Sequence, residues 1–387
     1  MKQRVLIVGS GLAGASVAWH LAPHADVQVL DQAEQPGAEA SSQNAGMVRR
    51  LGEDPYERAL SLRTAAWLDD PGEDWPHSPS RVVGAVIGLA IDPWWLSDAV
   101  AHIRAAGVRV DDLPSPSDVA PALANAEIHK AWHVPDERVA DAHALVQGFV
   151  RGARRNGATF TMRTPITELL VEAGRVIGVR TPNQVIHADA VVLATGAWSQ
   201  QLAARHGLHR PLAPLRRTLL QSEPHALSHP DHPWVWIDDV GVYARPEAGG
   251  WLCSGCDEAV DPPVGVTSRG PVEPEPRALL ATKLETLLPA LADVRVRNGW
   301  TGLRTFAPDR RPVLGADTDL EGLWWAAGLG GFGVSTCKGV GEAVSAWLMG
   351  ESLDWIQARG VSPGRPFPRR WAIRPLGDIH RSVLVDG

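Results

Sequence analysis

The chain is poor in lysine, tyrosine, cysteine and methionine, and it has no long apolar run. Four lysines stand among 37 basic residues, with only two tyrosines, three cysteines and four methionines. The 44 acidic residues outnumber the basic ones, for a formal net charge of −7. No basic stripe is available, so nucleic acid is not an expected partner. No stretch of 18 or more apolar residues occurs, so no membrane span is expected. Three thiols make no disulfide framework and suit the reducing cytoplasm. Cys253 and Cys256 form a CxxC pair inside the strand-like segment Trp251-Leu252-Cys253-Ser254-Gly255-Cys256. A zinc site would need a second pair, and a redox pair would open a helix. Both are read as buried thiols, and no metal is expected. Lys2 and Arg4 before an apolar stretch imitate a secretory leader, but a glycine turn interrupts the stretch and no small-residue cleavage site follows.

What is present is concentrated at the start. Arg4 to Val8 is a short apolar run, followed by Gly9-Ser10-Gly11-Leu12-Ala13-Gly14, a helical apolar pattern, and a second run, Val27 to Leu30, that ends on Asp31. This is the order and spacing of a dinucleotide-binding strand–helix–strand unit. Gly9 permits the tight turn, Gly11 lets the backbone approach a pyrophosphate, and Gly14 lets helix and strand pack closely. The helix N-terminus offers free N–H groups to phosphate. Asp31 can accept from a ribose diol, and an acid there favours FAD or NAD over NADP.

Apolar runs then alternate with helical patterns. Helices are expected at Tyr56 to Leu68, Trp94 to Ala105, Asp141 to Asn156 with Asp141 as N-cap, Glu275 to Leu288, and Ser335 to Met349. A single strong β run is expected from Val82 to Ile91, a hairpin from Ile166 to Arg180, and a fully apolar central strand from Ala188 to Ala194. Strand patterns predominate from Pro211 to Val296, and Gly322 to Ala327 reads as a further buried strand. The tail, 351–387, is rich in Pro and Arg and predicts no element. The expected fold is therefore α/β plus antiparallel β. A Rossmann-like nucleotide domain of separated segments (1–82, 142–208 and 298–387) is interrupted by a mostly antiparallel substrate domain (83–141 and 209–297).

This layout resembles the FAD-dependent D-amino acid oxidase superfamily. The matching pieces are the Gly9 to Gly14 unit, Ser41-Ser42-Gln43-Asn44-Ala45-Gly46, the strand Val191 to Trp198, the stretch Gly302 to Gly315 and the turn Gly328 to Gly333. The chain looks most like the bacterial D-amino acid dehydrogenase and D-arginine dehydrogenase type, and it is similar to glycine and sarcosine oxidases. The resemblance implies an α/β fold of the glutathione-reductase type. It assigns Gly9, Gly11, Leu12, Ala13, Gly14, Asp31 and Gln32 to the ADP half of FAD. It runs Ser41, Ser42, Asn44, Ala45, Gly46 and Met47 along the pyrophosphate and ribityl chain, and it adds Ile166, Thr195, Gly196 and Trp198. Gly330, Gly331, Phe332 and Gly333 would lie by the flavin, together with Arg304. Where some relatives tether flavin through a cysteine, Gly302 stands here, so noncovalent FAD is expected.

For substrate, the resemblance points to Arg304 as the carboxylate clamp and Tyr243 as a phenol donor and pocket wall. A guanidinium suits a carboxylate because its planar fork makes two parallel bonds. Alternation places Arg216 and Arg217 on opposite faces of their strand, and Arg217 is preferred as the one facing substrate. Met47 and Arg49 fill a loop where relatives that take cationic substrates have His and aromatic groups. An acidic residue of those relatives is replaced by Gly84 or Ala85. A neutral or acidic substrate is expected, with Arg49 and Arg50 open to a second carboxylate or to solvent. The implied reaction is oxidation of the Cα–N bond of an amino acid, first of all a D-amino acid, with oxygen or a quinone as acceptor. The alternatives are a secondary amine or a 2-hydroxy acid, or a flavin-binding subunit without catalysis. The expected location is cytoplasmic, or membrane-associated if a quinone is the acceptor.

Overall fold

The computed structural model describes residues 2–265, 267 and 270–369. Its first sheet has six strands in the order Val313–Ala316, Leu323–Ala327, Ala190–Leu193, Arg4–Val8, Asp26–Leu30 and Thr159–Thr161. All neighbours run parallel except the first pair, which is antiparallel. The central strands RVLIV and AVVL are apolar because both faces of the sheet are covered. On one face lie the helices Leu12–Leu21 and Gly333–Leu348, joined to the sheet through Val5, Ile7, Val17, Leu21, Val340 and Val344. On the other face Leu6, Val191 and Leu193 pack with Leu169, Val176 and Val179 of a small sheet formed by Glu168–Glu172, Arg175–Arg180 and Val185–His187.

The tight turn after the first strand needs its glycines. Gly9 has φ +101°, and a Cβ there would lie 2.4 Å from the Ala194 carbonyl oxygen. A Cβ on Gly14 would lie 1.9 Å from the Gly9 carbonyl oxygen. The helix Ala142–Arg155 begins as expected, with the Asp141 carboxylate accepting from the Ala144 N–H at 2.9 Å.

The second large sheet has eight strands in the order Val296–Phe306, Ala213–Ser222, Gly250–Ser254, Val242–Glu247, Trp234–Ile237, Ala85–Leu89, Lys130–Val134 and Asp111–Asp112. Its pairs are antiparallel apart from Trp234–Ile237 beside Ala85–Leu89. Val296–Phe306 pairs along its length with Ala213–Ser222. One sequence expectation changes here: the run from Val82 to Ile91 is not one strand. It breaks at Gly84, φ +77°, where the Val83 and Gly84 N–H groups both donate to the Glu137 carbonyl. Ser80–Val82 joins a small sheet with Arg138–Ala140 and Met47–Val48, and Ala85–Leu89 enters the large one. The tail shows only a short turn of 3-10 helix, Ala358–Gly360, before the described residues end at 369.

Candidate active site

A groove of about 530 Å³ crosses the carboxyl ends of the parallel strands. Gly9, Gly11, Leu12 and Ala13 line it at the start of the first helix. That helix has no side-chain cap at Gly11, and the Leu12 N–H donates to Ser41 Oγ at 2.9 Å. Asp31 and Gln32 line one end, Ser41 and Asn44 one wall, and Ile166, Thr195, Gly196 and Trp198 another. Asp31 also ties the turn: Oδ2 accepts from the Ser10 N–H and from Ser10 Oγ, both at 2.6 Å. Gly330, Gly331 and Gly333 line the far end, where a second helix begins at Gly333 without a side-chain cap. Two helix N-termini at the groove and a glycine-lined channel between them fit an extended, pyrophosphate-bearing dinucleotide. Ser42 takes another direction. Its hydroxyl donates to the Ala38 and Glu39 carbonyls, and it does not line the groove. Its N–H also donates to the Glu39 carbonyl at 2.8 Å, so Ser42 closes a local turn instead.

A smaller cavity of about 50 Å³ adjoins the groove, and the two share Asn44, Arg304, Gly331 and Val334 as walls. Ala45, Gly46, Met47, Arg49, Arg217, Tyr243 and Phe332 line the cavity, so the structure brings these sequence candidates together. Arg304 and Gly302 alternate onto the same face of Val296–Phe306, and Arg217 pairs opposite Gly302. Arg304 is 7% exposed. Its Nη2 donates to the Gln43 carbonyl, while Nη1 is buried with no partner among the described residues. Burial pulls this guanidinium down to about 10, with Arg217 adding to the shift and Tyr243 and Asp257 opposing it. It is still a cation at neutral pH. Burial pushes the Tyr243 phenol up to about 12, Cys256 adds to the shift, and Arg217 and Arg304 oppose it. The phenol is therefore a neutral donor, and its ring stacks on Trp236 at 4.8 Å.

Arg49 differs from Arg304 in being matched. Its Nη1 contacts Asp238 Oδ1 at 2.6 Å, and Asp238 Oδ2 accepts from Trp95 Nε1 at 2.8 Å. The guanidinium lies between the Trp236 and Phe332 rings, 4.5 and 4.6 Å from their centroids. Arg50 turns away from the cavity toward Glu137. Arg217 Nη2 donates to Glu258 Oε1 at 2.9 Å, whereas Arg216 faces Asp257 at 3.5 Å on the other side.

Sequence reasoning passed over Trp236, Glu258 and Arg310, which also line the cavity. Trp236 alternates on a strand like any core aromatic, and Glu258 meets Arg310 across 52 positions of sequence. The one local sign is that Arg310 has φ +61° without being glycine, and this is visible only in the structure. Cys253 and Cys256 are buried and free, and burial raises the Cys253 thiol to about 12. Among the described residues no His, Cys, Asp and Glu cluster is arranged to hold a metal ion, and no helix is long and apolar enough to cross a membrane.

The chain is 26% identical to 4-methylaminobutanoate oxidase (formaldehyde-forming) of Paenarthrobacter nicotinovorans over 89% of its own length, which is 43% of that longer protein. It is 27% identical to D-amino acid dehydrogenase of Paramagnetospirillum magneticum, covering 90% of this chain and 95% of the relative. The crystal structure of L-proline dehydrogenase from P. horikoshii superposes with a TM-score of 0.81 at 21% identity, covering 94% of this chain and 97% of that one, which shows a shared fold. The model of the FAD-dependent oxidoreductase family DAO matches residues 4–347, and the chain belongs to that family.

Proposed function

We propose that this chain oxidises the Cα–N bond of a D-amino acid with a neutral side chain, the imine then hydrolysing to a 2-oxo acid and ammonia. The observation that carries this reading is the buried Arg304 guanidinium, with Nη1 unpartnered on the wall between groove and cavity. A buried cation without a counter-charge is costly unless a ligand anion completes it. A substrate carboxylate on Arg304, with the Tyr243 hydroxyl as a second donor, would fix the Cα–H at the inner end of the groove. Bound noncovalently in the groove, FAD would accept the hydride. Gly9, Gly11 and the first helix would hold its pyrophosphate, and the N–H groups near Gly333 would face the flavin end. The ammonium must lose a proton before the hydride leaves, and water suffices for that.

The charge lining favours this substrate class. Arg49, Arg217, Arg304 and Arg310 line the cavity with one carboxylate, Glu258, and Asp238 stands behind Arg49. A cationic side chain would meet like charge. Trp236, Tyr243, Phe306 and Phe332 offer it apolar walls.

Anaerobic bleaching of the flavin absorbance tests the reading, with panels of D-amino acids, L-amino acids, N-methyl amino acids and 2-hydroxy acids. Neutral D-amino acids should bleach it fastest. Bleaching by another panel alone would reassign the reaction, and D-arginine outrunning neutral substrates would overturn the charge argument. Readmitting air then separates an oxidase from a dehydrogenase, and acid denaturation should release the flavin into the supernatant.

A further inference from the structure

We propose that Glu258 sets the charge class of the substrate, by occupying the cationic position that a second substrate carboxylate would otherwise take. This deepens the reading above and rests on it. Glu258 lies in the irregular segment that follows the strand Gly250–Ser254 and is 11% exposed in its side chain. One of its oxygens accepts from Arg217 Nη2 at 2.9 Å and from Arg310 Nη1 at 3.0 Å, and the other accepts from Arg310 Nη2. The Arg310 contact is therefore a two-point fork on a carboxylate, the arrangement a guanidinium makes with a carboxylic-acid ligand. All three side chains line the cavity beside Arg304.

The arrangement is held from several directions. Arg310 keeps φ +61°, a conformation uncommon for a side-chain-bearing residue, and its guanidinium lies 4.7 Å from the Phe306 ring centroid. Arg217 is fixed on the second side by its Nε bond to the Asp257 carbonyl at 3.2 Å. Arg217 and Arg310 thus both converge on one protein carboxylate at the cavity wall, whereas among the described residues no carboxylate pairs with Arg304. A monocarboxylate substrate completes Arg304 and leaves the Glu258 cluster intact. A dicarboxylate must bring its second charge against Glu258, which repels it and already uses the donors it needs. Selectivity arises by refusal of the diacid as much as by attraction of the monoacid. Without the Glu258 charge, Arg217 and Arg310 lose the carboxylate they share at the cavity wall, and the preference should invert.

The experiment uses the full-length FAD-loaded protein and two inert probes of equal chain length, butyrate and succinate, titrated by calorimetry. The wild type should bind butyrate at least about tenfold more tightly than succinate. E258Q should tighten succinate by about tenfold or more and leave butyrate within about threefold. E258D, which keeps the charge, should retain the wild-type order. E258Q/R310Q should lose most of the gain for succinate. Succinate binding in E258Q no tighter than in the wild type, with the flavin spectrum intact, would overturn the proposal and leave Glu258 as a tie between two loops. R304M is titrated in parallel. Undiminished butyrate binding there would fail the underlying reading of the carboxylate clamp, a result separate from the succinate comparison. Because the probes are not turned over, neither outcome depends on the amine being oxidised.

Discussion

Arg304 and Arg49 are buried guanidiniums on one cavity wall, and what separates them is the counter-charge. Asp238 answers Arg49, whereas among the described residues the Arg304 guanidinium bonds the Gln43 carbonyl and no carboxylate. Arg304→Met should leave the flavin spectrum in place and cost carboxylate substrates about 2–5 kcal/mol in kcat/KM, since their charge then enters the cavity unmatched. Steady-state kinetics on the best substrate checks this, and unchanged kinetics would remove Arg304 from the site. Arg304→Lys should recover only part, because a point charge cannot reproduce two parallel bonds. As pH rises through about 10, the Arg304 charge and with it the carboxylate affinity should fall. Residue-level legibility divides along the same line. Arg304 and the Gly9 to Gly14 turn sit in local motifs, so they were readable. The Glu258–Arg310 pair depends on tertiary approach across 52 positions, and the side of the cavity that Arg50 leaves is set by Glu137, 87 positions away. The direction of the Ser42 hydroxyl depends on a local turn that the Ser-Ser pair does not announce.

At the scale of elements, the apolar periodicity was sufficient for the first strand–helix–strand unit, for the helices Pro55–Trp67, Ala142–Arg155 and Gly333–Leu348 and for the strand Ala190–Leu193; it gave no sign of the strands Lys130–Val134 and Val313–Ala316, and it failed where a glycine conformation overrode it, at Gly84. Polar residues inside helices were less legible. His20 lies on Leu12–Leu21, against Gly333–Leu348, where a Cβ on Gly341 would come within 2.8 Å of its Nδ1. Nδ1 faces the Ser16 carbonyl at 2.8 Å and Nε2 is buried without a partner. Burial lowers its pKa from 6.5 to about 4, the Ser16 hydrogen bond opposing and Lys338 adding. The folded-state value lies below the unfolded one, so His20 contributes stability that is present above pH 6.5 and is lost as pH falls from 6.5 through about 4. The loss is about 3 kcal/mol. Both helices of this contact present their N-termini to the groove, so acid should release flavin together with unfolding. Chemical denaturation of wild type and His20→Gln at pH 7.5 and 4.5 measures it. An equal acid loss in both proteins would exclude His20 as the cause.

At the scale of the whole molecule, the groove draws its walls from distant segments of the chain: 8–44, 164–205 and 303–334. The order of motifs along the sequence made the two-sheet fold readable, but the sheet to which Val296–Phe306 belongs was decided by its pairing with Ala213–Ser222, not by its own residues. A ligand that spans walls so far apart in sequence stabilises the folded chain as a unit, because unfolding scatters its contacts. FAD at about a hundred times its Kd should raise the unfolding free energy by about 2.7 kcal/mol, read as a shift in the denaturation midpoint of the apoprotein. Gly11→Val separates that gain from the fold itself. Gly11 has φ −68° and ψ −176°, a conformation open to any residue, and its nearest obstacle is Ser41 Oγ, 2.9 Å from a built Cβ. The valine backbone is therefore tolerated, while its methyl groups enter the groove at the pyrophosphate wall. The variant should fold with an apoprotein midpoint close to the wild type and show no shift on adding FAD. A normal FAD-dependent shift in that variant would place the cofactor somewhere other than this groove.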